Sequence, residues 1–226
     1  MTIHVLVEGP SERAFLDHWA PRLLPGYVVR VHPHQGKGAL PGTIQARPNP
    51  KMRGLLDQLP AKLRGFAEAL NPHADAVLVL LDADNDDVTA LRDSILAVVQ
   101  ACAPQLPVRI SIAVEETEAF YLGDLRALQH AYPAANMGTA RAYIPDSICG
   151  TWELFGQIVG DDGGNKVAWA EAMGPQITTQ PAQSRSMSFR ALINSLQALL
   201  PAPAAPQQPR RYRHPPRVRR RNNGLR

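Results

Sequence analysis

The chain has 226 residues, 45% of them hydrophobic, which is enough for one sizeable core and an appendage. Its formal net charge of +4 averages two unlike parts: residues 201–226 hold eight arginines and no acid, so the remainder sets 16 basic against 20 acidic residues, a net of −4. No apolar run approaches the ~18–20 residues of a membrane helix, and two cysteines without Cys-x-x-Cys spacing, Cys102 and Cys149, exclude a disulfide framework and a zinc site.

The N-terminus, MTIHVLVEGP, lacks the charged n-region and cleavage site of a signal peptide, so the expected setting is a reducing cytoplasm. Ile3–Val7 reads as a first strand that ends at Glu8-Gly9-Pro10-Ser11-Glu12. Gly9 and Pro10 make the turn, Ser11 is the expected N-cap, and Phe15, Trp19 and Leu23 follow at helical spacing. Glu8 thus sits at a strand tip beside a helix N-terminus, where the dipole holds a carboxylate whether it serves chemistry or only the surface. Glu12 reads as an ordinary first-turn acid.

Tyr27–His34 alternates and reads as strand two, with His32 and His34 two apart as at many polar strand edges. Residues 35–50 are rich in Gly and Pro and carry Gly36-Lys37-Gly38. A glycine-flanked lysine can admit a phosphate, but the Walker spacing is absent and a flexible surface loop is the simpler reading. Met52, Leu55, Leu56, Leu59, Leu63, Phe66 and Leu70 keep helical spacing over 51–70, where Pro60 is expected to kink or divide the helix.

Val77–Leu81 is apolar throughout and reads as a strand buried on both faces. At its end stand Asp82, Asp84, Asp86 and Asp87. Carboxylates crowded at the edge of a core call for a hard divalent cation with oxygen ligands; the alternative is a solvated turn in which Asp86 or Asp87 caps the next helix. That helix carries Val88, Leu91, Ile95, Val98 and Cys102 on one stripe, which makes Cys102 a buried small hydrophobe. Pro107–Val114 is a further strand, ending at Glu115-Glu116-Thr117-Glu118; Glu115 and Glu118 share a face if the chain turns helical there. Residues 125–200 read as mostly helical, with Lys166, Trp169, Met173 and Ile177 on one helix and Phe189, Leu192, Ile193 and Leu196 on another.

Three strands therefore end in acid: Glu8, then Asp82/Asp84, then Glu115/Glu118. Strand–helix alternation implies a mostly parallel sheet with right-handed crossovers, which puts all the strand ends on one edge. That convergence favours the metal reading, and a site of carboxylates with no Cys suits Mg²⁺ or Mn²⁺ and phosphodiester chemistry.

Val7-Glu8-Gly9-Pro10-Ser11-Glu12 and Leu80-Leu81-Asp82-Ala83-Asp84 resemble the glutamate and Asp-x-Asp of a Toprim domain. With Gly36-Lys37-Gly38, the stretch from Glu115 to Phe120, Lys166 and Ser186-Met187-Ser188-Phe189, the chain more narrowly resembles the DUF4276 family of small bacterial Toprim-like proteins, over about residues 3–197. Phe120 stands where the typical pattern has Trp. The resemblance implies an α/β, Toprim-like (Rossmann-like) fold: a mostly parallel four-stranded sheet flanked by helices over 1–125, with a small helical extension packed on it over 126–200; it leaves out residues 201–226, whose Pro- and Arg-dominated composition predicts a disordered tail. It implies a Mg²⁺-dependent nuclease acting on DNA or RNA, with Glu8, Asp82, Asp84, Glu115 and Glu118 as metal-site candidates. Glu8 would be a ligand or the general base, and Lys166 would steady the phosphate or the leaving oxygen. It also implies an AAA- or ABC-type ATPase partner in an anti-phage system and no membrane partner. The alternative is a non-catalytic, regulatory partner of such an ATPase, because an acidic body binds nucleic acid poorly unless the tail or a basic partner supplies the phosphate contacts.

Overall fold

The structure is a computed structural model that describes residues 1–147, 150–161 and 163–201; Cys149 and the Arg-rich tail beyond Pro201 lie outside the described residues. Strands β1 (Thr2–Val7), β2 (Val28–Pro33), β3 (Asp75–Asp82) and β4 (Val108–Ala113) form one sheet in the order β2-β1-β3-β4, with every neighbouring pair parallel. From β1 the chain first adds β2 on one side, then crosses to add β3 and β4 on the other. The topological switch point therefore lies between β1 and β3, where the ends of two strands open a crevice.

Alternate side chains of each strand enter opposite layers. Ile3, Val5, Val7, Leu78 and Leu80 pack with Phe15, Leu16 and Trp19 of helix α1 (Pro10–Leu23). Leu6, Val77, Val79 and Leu81 pack on the other face with Leu55, Leu59 and Leu63 of α2 (Leu55–Ala69) and Ile95 and Val98 of α3 (Val88–Cys102). Burial on both faces is the physical reason for the unbroken apolar run in β3. Cys102 is buried and free at the end of α3.

Among the described residues, six further α-helices follow β4: α4 (Glu118–Gly123), α5 (Leu125–Ala131), α6 (Met137–Ala142), α7 (Thr151–Val159), α8 (Lys166–Met173) and α9 (Met187–Gln197). They complete the α1 layer. Trp169, Met173, Phe189 and Leu192 join the cluster of Phe15 and Trp19, and the Trp19 indole donates to the Thr178 carbonyl at 3.0 Å. Among the described residues no helix is long and apolar enough to cross a membrane.

Three local expectations are corrected. Helix α1 starts at Pro10 with Gly9 as its N-cap, and the Ser11 hydroxyl donates to Glu12 Oε1 at 3.0 Å. Proline at the first helical position needs no N–H partner, and the helix starts two residues earlier than a Ser11 cap would place it. Pro60 does not divide helix α2, which continues from Leu55 to Ala69 with Leu55, Leu56, Leu59 and Leu63 buried, so that packing of this face offsets one lost backbone bond.

The Gly36-Lys37-Gly38 segment is anchored. Gly36 N–H donates to the Glu8 carbonyl at 2.8 Å, and the Leu55 and Leu56 amides donate to the Gly36 and Lys37 carbonyls at 2.8 and 2.7 Å. Gly38, at φ +66°, crosses Gly54 so closely that a Cβ on Gly54 would lie 2.5 Å from the Gly38 Cα. Gly54→Ala is therefore expected to destabilise the fold by about 1–3 kcal/mol, the usual range for overpacking, and to displace Lys37. A urea melt checks this; an unchanged midpoint would show that the loop yields freely.

Candidate functional site

Glu8 leaves the end of β1 and reaches across the switch point, where its Oε1 accepts the backbone N–H of Asp82 at 2.8 Å. The Asp82 carboxyl lies within about 5 Å of its own amide by covalent geometry, so the two carboxyl groups are within about 8 Å of each other. Asp82 Oδ1 accepts from the Thr117 hydroxyl at 3.1 Å, which ties the end of β3 to the turn after β4. Glu118, the first residue of α4, is 3% exposed, and Glu12, in the first turn of α1, is 8% exposed. Four strand or helix ends thus deliver Glu8, Glu12, Asp82 and Glu118 to one desolvated place.

The electrostatics follow from that crowding. Burial, then the charges of Glu12, Glu8 and Glu118, push the Asp82 carboxyl well above the ordinary carboxylate range. Burial raises Glu8 to about 7; the Asp82 amide opposes this, and the Glu12 and Asp84 charges add to it. Glu118 also rises to about 7, chiefly through burial and against the pull of Lys166. These groups face a choice between holding protons and holding a cation.

Lys166, far along the chain, arrives beside this cluster. Its ammonium stands 3.9 Å from Glu118 Oε2 and 3.9 Å from Glu116 Oε1, and 5.3 Å above the Trp152 ring. Glu116 in turn accepts the Trp152 amide at 2.8 Å.

Glu115 and Glu118 go separate ways. Because α4 begins only at Glu118, Glu115 precedes the helix and the shared-face spacing does not apply. Glu115 is buried, and its Oε2 accepts from the Tyr143 hydroxyl at 2.6 Å and from Thr151. Asp84 is exposed at the lip, with φ +50°. Lys37 reaches it from the glycine loop at 3.1 Å, while also binding Asp86 at 2.7 Å and the Ala83 carbonyl at 2.8 Å. Burial draws the Lys37 pKa down, but the Asp86 and Asp84 carboxylates outweigh it and hold the group above the ordinary lysine value. Asp87 caps α3, accepting the Ala90 amide at 2.8 Å.

Glu12 escaped the sequence reading. Its signal was the four-residue spacing from Glu8 combined with a helix start at Pro10, which places it on the first turn facing the same edge. A Cβ on Gly9 would lie 3.2 Å from Glu12 Oε2, so the carboxylate rests against the bare backbone of the turn. His32 turns toward His4: Nδ1 of His4 and Nε2 of His32 are 3.1 Å apart, and both rings pack on Phe66.

Among the described residues, no three His, Cys, Asp or Glu side chains already enclose a common point as a metal cage. The chemistry of the donors nonetheless suits a hard cation: the groups meeting at the switch point are all carboxylates, half-buried or buried and mutually repelling.

A family model described as DUF4276, a domain of unknown function, matches residues 7–197, from the end of β1 to the end of α9. No curated protein matches the chain, and no solved structure does.

Proposed function

The chain belongs to the DUF4276 family, and we propose that it is a Toprim-like phosphodiesterase that cleaves DNA or RNA with Mg²⁺ or Mn²⁺. One observation supports the reading most: mutually repelling carboxylates, half-buried at Glu8 and Asp82 and buried at Glu118 and Glu12, stand at the switch point of a parallel sheet. Glu8, Asp82 and Glu118 would hold the ion, with Asp84 at the exposed lip and Glu115 bracing the turn from behind. When bound, the metal polarises the phosphoryl oxygens and lowers the pKa of water.

In the alternative, in which Glu8 stays off the metal, it serves as the general base: one of its oxygens is held by the Asp82 amide, which leaves the other for the attacking water. Lys166 is positioned beside Glu118 to offer positive charge to the phosphate or the leaving oxygen.

A second reading is a regulatory, non-catalytic partner of an AAA- or ABC-type ATPase in the cytoplasm, as in an anti-phage system. The net charge of −4 outside the tail favours it, as does Lys37, which already neutralises Asp84 and Asp86.

The test is cleavage of DNA and of structured RNA by the purified chain in Mg²⁺, in Mn²⁺ and in EDTA. Cleavage that needs the metal is expected; no cleavage of any substrate in either metal would favour the regulatory reading.

The eight arginines of 201–226 offer the phosphate contacts that the body lacks. Deleting them is expected to weaken nucleic-acid binding and to flatten the slope of log affinity against log salt by several units, at ~0.9 per phosphate contact. Turnover at saturating substrate should survive, since no candidate site residue lies in the tail. An unchanged slope would make the tail irrelevant to binding.

A further inference from the structure

A second concavity lies at the far end of α4 from Glu118. Helix α4 carries Glu118 at one end and leads to Asp124 at the other, a rise of about 9 Å at ~1.5 Å per residue. Beyond that far end opens a cavity of about 680 Å³ lined by Arg22, Asp124, Arg126, His130, Thr178 and Arg185 among others.

Three arginines line it, and among the described residues no carboxylate pairs with them. The one carboxylate in the lining is already engaged: Asp124 accepts the Ala127 amide at 3.0 Å and the Thr178 amide at 2.8 Å. Among the described residues, no carboxylate lies within ion-pair distance of Arg22, Arg126 or Arg185. Two of the three are held in place by neutral groups. Arg22 Nη1 donates to the Gly174 and Ile177 carbonyls at 3.0 and 2.9 Å, and Arg185 donates to the carbonyls of Ala140, Arg141 and Tyr143.

Carbonyl contacts fix the plane of a guanidinium without cancelling its charge, and Arg22 keeps donors beyond the two it uses. In a body of net charge −4, such a concentration of cations is not explained by the average surface. Preorganised, uncompensated guanidinium forks are suited to the bidentate recognition of phosphate. The volume is far more than a lone phosphate needs and falls in the usual range of small-molecule sites, about 300–1,000 Å³. Gln180 and Gln183 supply neutral donors and acceptors along the same wall.

We propose that this cavity binds a small phosphate-bearing anion of nucleotide size, at a site separate from the acidic crevice. The inference stands independently of the metal-dependent cleavage proposed above.

Inorganic pyrophosphate and ATP are the probes, titrated calorimetrically into the full chain in EDTA at matched ionic strength. Without a divalent metal, the carboxylates of the acidic crevice repel phosphate, and dependence on Arg126 separates binding in the cavity from any contact with Lys37 or Lys166. Saturable binding of at least one probe is expected, with a rise in melting temperature. Arg126 is exposed on the rim, so Arg126→Glu should fold as the parent does, verified by its own melt, and should weaken binding by about tenfold or more, the value of a charge-assisted contact with its charge reversed. Absence of saturable binding by both probes would overturn the proposal. So would equal affinity in Arg126→Glu, the result expected if the Arg-rich tail were the binder. Arg126-dependent binding of an oligonucleotide without terminal phosphate, where neither probe binds, would overturn the small-ligand assignment in favour of a strand.

Discussion

Asp82→Asn is expected to abolish metal-dependent cleavage, by a factor on the order of 10³ or more, while raising the thermal stability of the metal-free protein at pH 8. The activity loss follows from removing a charged ligand at the centre of the cluster, where the metal would supply several kcal/mol of transition-state stabilisation. The stability gain follows from the same crowding. Asp82 is desolvated and faces Glu12, Glu8 and Glu118, so its ionised form is a cost to the folded state. Asparagine keeps an oxygen for the Thr117 hydroxyl bond and leaves the Asp82 backbone amide free to serve Glu8. Glu8→Gln should behave alike for the same reasons. Turnover at saturating metal, together with calorimetric melting, measures both arms. Full activity in Asp82→Asn would remove that residue from the mechanism, and a lower melting temperature would show that its charge is compensated in the folded state.

Mg²⁺ is expected to raise the melting temperature strongly at pH 8 and hardly at all at pH 5.5. In the metal-free protein Glu8 and Glu118 titrate near 7, against ordinary values of 4.5. Their folded-state affinity for protons exceeds that of the unfolded chain, so their stabilising protonation is fully present below about 4.5 and is lost as pH rises through about 7. A divalent cation takes over where the protons leave. At a metal concentration one hundred times its dissociation constant the gain is about 2.7 kcal/mol, or about 5–10 °C for a chain of this size. His4, His32 and His34 work in the opposite direction. Burial lowers all three, His32 to about 4, so the unfolded chain takes up protons first as pH falls below about 6.5 and stability declines towards acid. That contribution is the same with and without Mg²⁺, so the difference between paired melts isolates the carboxylates. A shift independent of pH would place the metal elsewhere.

The sheet and the Glu8–Asp82 pair were legible because they depend on local pattern. An apolar run too short for a helix, ending in acids, specifies a buried strand and its carboxyl end, and parallel topology does the rest. The departures arise where a turn or a long-range contact decides. Pro10 moved the start of α1 and so brought Glu12 into the cluster. The late start of α4 separated Glu115 from Glu118. Lys37 meets Asp84 and Asp86 across nearly fifty residues, and no periodicity encodes that meeting. The arginine cavity is assembled from the end of α1, the start of α5 and the segment before α9, three stretches that carry no common motif.

The most direct measurement of the central claim is a Mn²⁺ titration at pH 8, followed by the electron paramagnetic resonance signal of the free ion. It should be carried out on the wild-type chain and on Glu8→Gln and Asp82→Asn. Saturable binding in the wild type, lost or weakened at least about tenfold in both variants, is the result expected if a charged ligand is removed from a carboxylate site. No saturable binding in the wild type, or equal binding in all three proteins, would contradict the account of Glu8 and Asp82 as a metal centre.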